Sequence, residues 1–130
     1  MRYLLDTHAL IWALSEPSRL PGSVMAIVEG DKNEIYASAA SAWEISIKAG
    51  LGKIDFPLDA LDDAVAAAGF IEMPVCVRHA VAIKSLPTHH RDPFDRLLIA
   101  QALLEGLILV TRDRQLGAYP VRIQWDGEPG

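Results

Sequence analysis

The chain has 130 residues, 51% of them hydrophobic, with a formal net charge of −5 and a sequence pI near 5.2. This length fits one domain, expected over residues 1–130, which buries roughly two-thirds of its unfolded surface and needs no covalent staple. The lone Cys76 excludes an internal disulfide and suits a reducing cytoplasm, and the acidic balance excludes a globally basic surface for nucleic acid.

Elements alternate along the chain. Residues 2–5 read as a buried strand, and 7–15 as a helix that ends before Pro17. A second helix spans 22–30 and closes at Gly30. "EIYAS" (34–38) is a strand, followed by a helix over 41–50 and the loop "LGKIDF". An Ala-rich helix over 58–68 leads into "GFIEMPV" (69–75), which holds a short strand. A helix over 77–85 runs to Pro87, and "THHRDP" is a polar loop. Residues 93–105 form an apolar helix stopped by Gly106. "LILVT" (107–111) is the clearest strand, "RDRQLGAYP" holds a turn or short helix, and "VRIQW" (121–125) is a last strand.

Such alternation predicts an α/β fold whose parallel sheet is covered on both faces. Ligands of such sheets bind beyond the carboxyl ends of the strands. The most apolar stretch, Leu97 to Val110, is interrupted by Gln101, Glu105 and Gly106 and is too short to span a membrane. Asp6 and His8 break the N-terminal apolar run, so no signal peptide is expected.

Four acids fall where that rule places a ligand. Asp6 and Asp113 come directly off the ends of two strands, Glu44 lies early in the helix leaving a third, and Asp95 opens the helix leading into "LILVT". Each has a local explanation. Asp6 and Asp113 can cap helices, Ser41 and Glu44 have the spacing of a capping box, and Asp95 sits in the first turn of a helix capped by Asp92. Jointly they point further. Carboxylates gathered at one sheet edge repel one another, and a divalent cation relieves that conflict. Mg²⁺ and Mn²⁺ prefer carboxylate and water oxygens, and no Cys or paired His at metal spacing favours zinc. Hard cations on carboxylates can activate water and stabilise the leaving oxygen of a phosphodiester, with no side-chain nucleophile.

The flanking residues fit that chemistry. Thr7 and Thr111 offer hydroxyls to a water or a phosphate. Five of the twelve Lys and Arg residues (Lys48, Arg91, Arg96, Arg112 and Arg114) lie close to the acids in sequence, and His89 and His90 precede Asp95. Arg91, Arg96 and Arg112 are the candidate phosphate contacts, against the plainer reading of a solvated mixed-charge rim.

The segments "LLDTHALIWAL", "SAASAWEISIKAGLGKI", "HHRDPFDRLLIAQALLEG" and "LILVTRDRQL" resemble the PIN-domain ribonucleases, in particular VapC-type toxins of bacterial toxin–antitoxin pairs. The resemblance implies a three-layer α/β/α fold around a mainly parallel sheet of four to five strands. By it, Asp6, Glu44, Asp95 and Asp113 match the family's metal-binding and catalytic acids. It further implies a Mg²⁺- or Mn²⁺-dependent endoribonuclease acting on single-stranded RNA in the cytoplasm, a homodimer, and a neutralising antitoxin. The high apolar content fits a surface covered by a partner.

Two other readings compete. A receiver-like phospho-acceptor domain also places acids at strand ends. It needs an acidic doublet after the first strand and a Lys after the last, and neither stands here. A silent interaction domain would use the acids as caps alone.

Overall fold

The computed structural model describes residues 1–126, so the last four positions of the expected domain lie outside the described residues. Five strands form one sheet: β1 (Arg2–Leu5), β2 (Glu34–Ser38), β3 (Ile71–Met73), β4 (Ile108–Val110) and β5 (Ile123–Gln124). Their order is β3-β2-β1-β4-β5, and every pairing is parallel. Six helices accompany them: α1 (Thr7–Ser15), α2 (Gly22–Glu29), α3 (Ala39–Gly50), α4 (Leu61–Ala67), α5 (Val77–Ala82) and α6 (Pro93–Glu105). The expected three-layer α/β/α arrangement is borne out. Among the described residues no helix is long and apolar enough to cross a membrane.

The strand period of two builds the layers. Tyr3 and Leu5 of β1 pack on one face with Leu10 and Trp12 of α1, Val24 and Ile27 of α2, and Leu61 of α4. Leu4 points to the opposite face, where it joins Leu97, Leu98 and Ala102 of α6 and Leu109 of β4. β1 is central, with Tyr3 between Ile35 and Ile108 and Leu4 between Tyr36 and Leu109. Both of its faces are covered, which is why its sequence is a continuous apolar run.

Strand order reverses at β1. From β1 the chain moves outward to β2 and β3 on one side, and later returns to β4 and β5 on the other. The switch point therefore lies between β1 and β4, where the backbone N–H of Asp6 donates to the Val110 carbonyl at 2.9 Å.

Boundaries shift in informative places. α3 begins at Ala39 rather than Ser41, because Ser38 is the N-cap: its hydroxyl accepts from the Ala40 N–H at 3.0 Å. Ser41 is buried inside the helix and Glu44 sits on its second turn, so the capping box expected of this pair is not formed. The helices expected over 58–68 and 77–85 each divide into an α-helix and a 3₁₀ turn, at Leu58–Ala60 and Ile83–Ser85. β4 and β5 are shorter than "LILVT" and "VRIQW". α6 runs as expected and stops at Gly106, whose φ of 69° needs a residue without a Cβ.

Candidate active site

Beyond the carboxyl ends of β1 and β4 lies a cavity of about 340 Å³ lined by Asp6, Thr7, His8, Glu44, Lys48, Asp92, Asp95, Arg112 and Asp113. All four acids singled out from the sequence line it. Asp6 arrives because β1 ends at Leu5, Asp113 because the chain turns after β4, Glu44 on the second turn of α3, and Asp95 on the first turn of α6.

Capping and site-building are compatible here. Asp6 Oδ1 accepts from the Ala9 N–H at 2.8 Å, and Asp113 Oδ1 accepts from the Gln115 N–H at 2.9 Å. Each capping bond occupies one carboxylate oxygen, and each residue still faces the cavity. Asp92 is the N-cap of α6 and accepts from the N–H groups of Phe94 and Asp95 at 2.8 and 3.1 Å.

Glu44 is held from two sides and is only 3% exposed. The Thr7 hydroxyl donates to its Oε1 at 2.6 Å, and Lys48 Nζ, one helical turn on, donates to its Oε2 at 2.5 Å. The Thr7 oxygen also lies 3.1 Å from the Ser41 hydroxyl. The bond to Glu44 raises the Lys48 pKa above its ordinary value.

Negative charge remains in excess, with five carboxylates facing Lys48 and Arg112. Burial pushes the Asp6 carboxyl up to about 6, opposed by the Thr111 hydroxyl and the Ala9 N–H and reinforced by the charges of Glu44 and Asp113. Burial also raises Asp95 to about 6, with the charge of Asp92 adding and the His90 hydrogen bond opposing. Thr111 is buried, and its hydroxyl also accepts from the Asp113 N–H at 3.1 Å.

Two of the basic residues flanking the acids in sequence, His90 and Lys48, take part through specific contacts that the sequence did not assign to them. His90 Nε2 lies 2.8 Å from Asp95 Oδ2, and His90, Asp95 and Asp113 offer ligand atoms all within 4.8 Å of one another. Lys48 is the second. Its i, i+4 spacing from Glu44 was the available signal, whereas His90 reaches Asp95 only because its loop folds back, with the His90 N–H donating to the Tyr119 hydroxyl at 3.0 Å.

The three arginines proposed for the rim part company. Arg112 lines the cavity. Arg91 is exposed on the loop before α6, outside the lining. Arg96 is turned away: its guanidinium donates to the carbonyls of Ile83 and Leu86 at 3.2 and 3.1 Å, tying the 3₁₀ turn to α6. Arg96 thus stands outside the cavity lining, its guanidinium held by two partly buried backbone carbonyls.

The PIN domain family model matches residues 3–121. The chain belongs to the PIN domain family. The chain is 31% identical over 120 residues to Ribonuclease VapC22 of Mycobacterium tuberculosis, covering 89% of this chain and 90% of that one. Among solved structures it is similar to the VapBC2 complex of Rickettsia felis bound to a promoter DNA fragment. That match has a TM-score of 0.71 at 18% identity and covers 97% of this chain and 100% of the other. It is also similar to FitAcB from Neisseria gonorrhoeae, with a TM-score of 0.58 at 26% identity and coverage of 95% and 96%. The PIN fold sets aside the receiver alternative.

Proposed function

We propose that this PIN domain protein is an endoribonuclease that hydrolyses phosphodiester bonds of RNA, and that it is the toxin of a toxin–antitoxin pair acting in the cytoplasm. The observation that carries the reading is the gathering of Asp6, Glu44, Asp95 and Asp113 on one cavity at the switch point of a parallel sheet. The likeness to a VapC ribonuclease supports the substrate class.

The donor set fits a hard divalent cation, Mg²⁺ or Mn²⁺. It is rich in carboxylates, it carries uncompensated negative charge, and two of its acids are driven toward protonation by burial and mutual repulsion. Asp6, Glu44, Asp95 and Asp113 would hold the ion, with His90 orienting Asp95. When bound, it supplies Lewis acidity for activating a water and for stabilising the leaving oxygen. Thr7 fixes the orientation of Glu44 and Lys48 balances its charge in the absence of an ion, while Arg112 binds a phosphate at the cavity.

Partners follow from the same reading. Trp43, Leu51, Val77 and Val81 are large apolar side chains that are more than half exposed, a pattern that suits surfaces covered by a cognate antitoxin and by a second copy of this chain.

The test is cleavage of single-stranded RNA by purified protein. Cleavage with Mg²⁺ or Mn²⁺ that stops on chelation is expected. Undiminished cleavage in EDTA would remove the metal mechanism, and no cleavage with either ion would remove the nuclease.

A further inference from the structure

Trp12 of α1 is only 5% exposed, so its ring is closed to a stacking base. Two guanidinium groups nevertheless lie over its ring. The guanidinium carbon of Arg19 lies 4.4 Å from the ring centroid, and that of Arg112 lies 5.0 Å from it. The His8 ring is 5.9 Å away, one turn earlier on α1. Trp125 packs at 5.9 Å and helps fix the indole.

Long Arg side chains on a surface ordinarily sample many rotamers. A buried indole that holds two of them by cation–π attraction reduces that freedom and leaves their N–H edges in solvent. Arg112 lines the acid cavity. Arg19 stands outside it on the 3₁₀ turn Pro17–Arg19, with side-chain exposure of 52% and only a 3.9 Å contact to Glu16 of the same turn. One ring thus links a cation at the mouth of the cavity to a cation beyond it.

We infer that Trp12 is a positioning residue and that Arg112 and Arg19 form a track for successive phosphates of one RNA strand leaving the cavity. This deepens the nuclease reading and rests on it. The plainer alternative is that Arg19 merely covers the core edge and pairs with Glu16.

The experiment measures binding of a short fluorescent single-stranded oligoribonucleotide by anisotropy over a salt series, with Mg²⁺, in an Asp95→Asn background. KM and kcat are measured in the otherwise native enzyme. Arg19→Gln should weaken binding about two- to fivefold, the upper range of one exposed ion pair with a phosphate. It should flatten the log–log salt slope by about 0.7, the value for one lost phosphate contact on a single strand. It should raise KM more than it lowers kcat. Trp12→Phe, checked by thermal melt, should weaken binding and reduce the further cost of Arg19→Gln, because a weaker ring positions Arg19 less well. Glu16→Gln should bind as tightly or tighter.

Salt-dependent RNA binding that Arg19→Gln leaves unchanged in affinity and slope would overturn the track and leave the nuclease standing. Strict additivity of Trp12→Phe and Arg19→Gln would overturn the positioning role. A native protein that neither binds nor cleaves RNA would overturn both the track and the nuclease.

Discussion

The hydroxyl of Thr7 donates to Oε1 of Glu44 across 2.6 Å, joining the first turn of α1 to the second turn of α3. Both residues are buried, and the bond aims a carboxylate into the cavity from a helix that has no other reason to turn an acid inward. Thr7→Val keeps the shape and removes the donor. The cost should be about 1.5–3 kcal/mol, because the lost bond is to a charged group. The metal concentration needed for half-maximal cleavage should rise about 10–100-fold, as for other groups that orient a ligand. Thr7→Ser should retain native behaviour. Thermal melts and Mn²⁺ titrations of the cleavage rate check both variants.

The acids themselves separate capping from chemistry. Asn accepts the same capping hydrogen bond as Asp, so Asp6→Asn and Asp113→Asn should each keep stability within about 1–2 kcal/mol, and so should Asp95→Asn, which caps nothing and whose amide oxygen can still pair with His90 Nε2. Glu44→Gln joins them as the neutral isostere at the fourth acid. Each should lose most of its metal-dependent cleavage, since a neutral amide is a poor ligand for a hard cation. The smallest loss is expected at Asp113, where a contact made through water is most easily replaced. Near-native cleavage rates in all four would sink the site.

Asp6 makes stability depend on pH in a defined direction. Its carboxyl titrates near 6 when folded and near 3.9 when unfolded. The folded state therefore binds more protons between those values, and metal-free stability falls as pH rises through 6. Asp6→Asn lacks this titration. Its stability relative to the native protein should grow by about 1.4 kcal/mol between pH 5 and 7.5, as the charge develops in the native protein alone. Chemical denaturation of the metal-stripped proteins at both pH values measures it. A constant difference would mean that Asp6 is not held in its neutral form.

Lys48 occupies Glu44 from the side opposite Thr7. It stabilises the metal-free site and competes with a cation for the same carboxylate. Lys48→Met should therefore lower the melting temperature in EDTA, by removing the partner of a buried charge. It should also enlarge the stabilisation gained on adding Mg²⁺ or Mn²⁺, which follows from tighter binding to the folded state. A melting temperature unchanged in EDTA, with no larger metal response, would show the pair to be idle.

Much of this arrangement was legible in the sequence. Local propensity and periodicity named the order of strands and helices, because a strand buried on both faces must be continuously apolar and a helix must repeat near every third or fourth residue. The same reading put Asp6 and Asp113 just past strand ends and Asp95 in a first turn, where the capping chemistry is written in neighbouring residues. Position within α3 was less legible. Ser38 and Ser41 are both competent caps, and only the direct passage of β2 into α3 selected Ser38, which displaced Glu44 from the cap and turned it into the cavity.

What the tertiary structure decided are relationships between residues far apart in the chain. Thr7 meets Glu44 because β1 and β2 are neighbours, and Arg112 reaches Trp12 because β4 returns to the other side of β1. His90 finds Asp95 through the fold of one loop, and Arg96 turns to carbonyls that the next 3₁₀ turn presents. Propensity acts over a few residues, whereas these contacts depend on which strands pair and in what order. Composition located the charges in the chain, and the sheet order determined which of them meet.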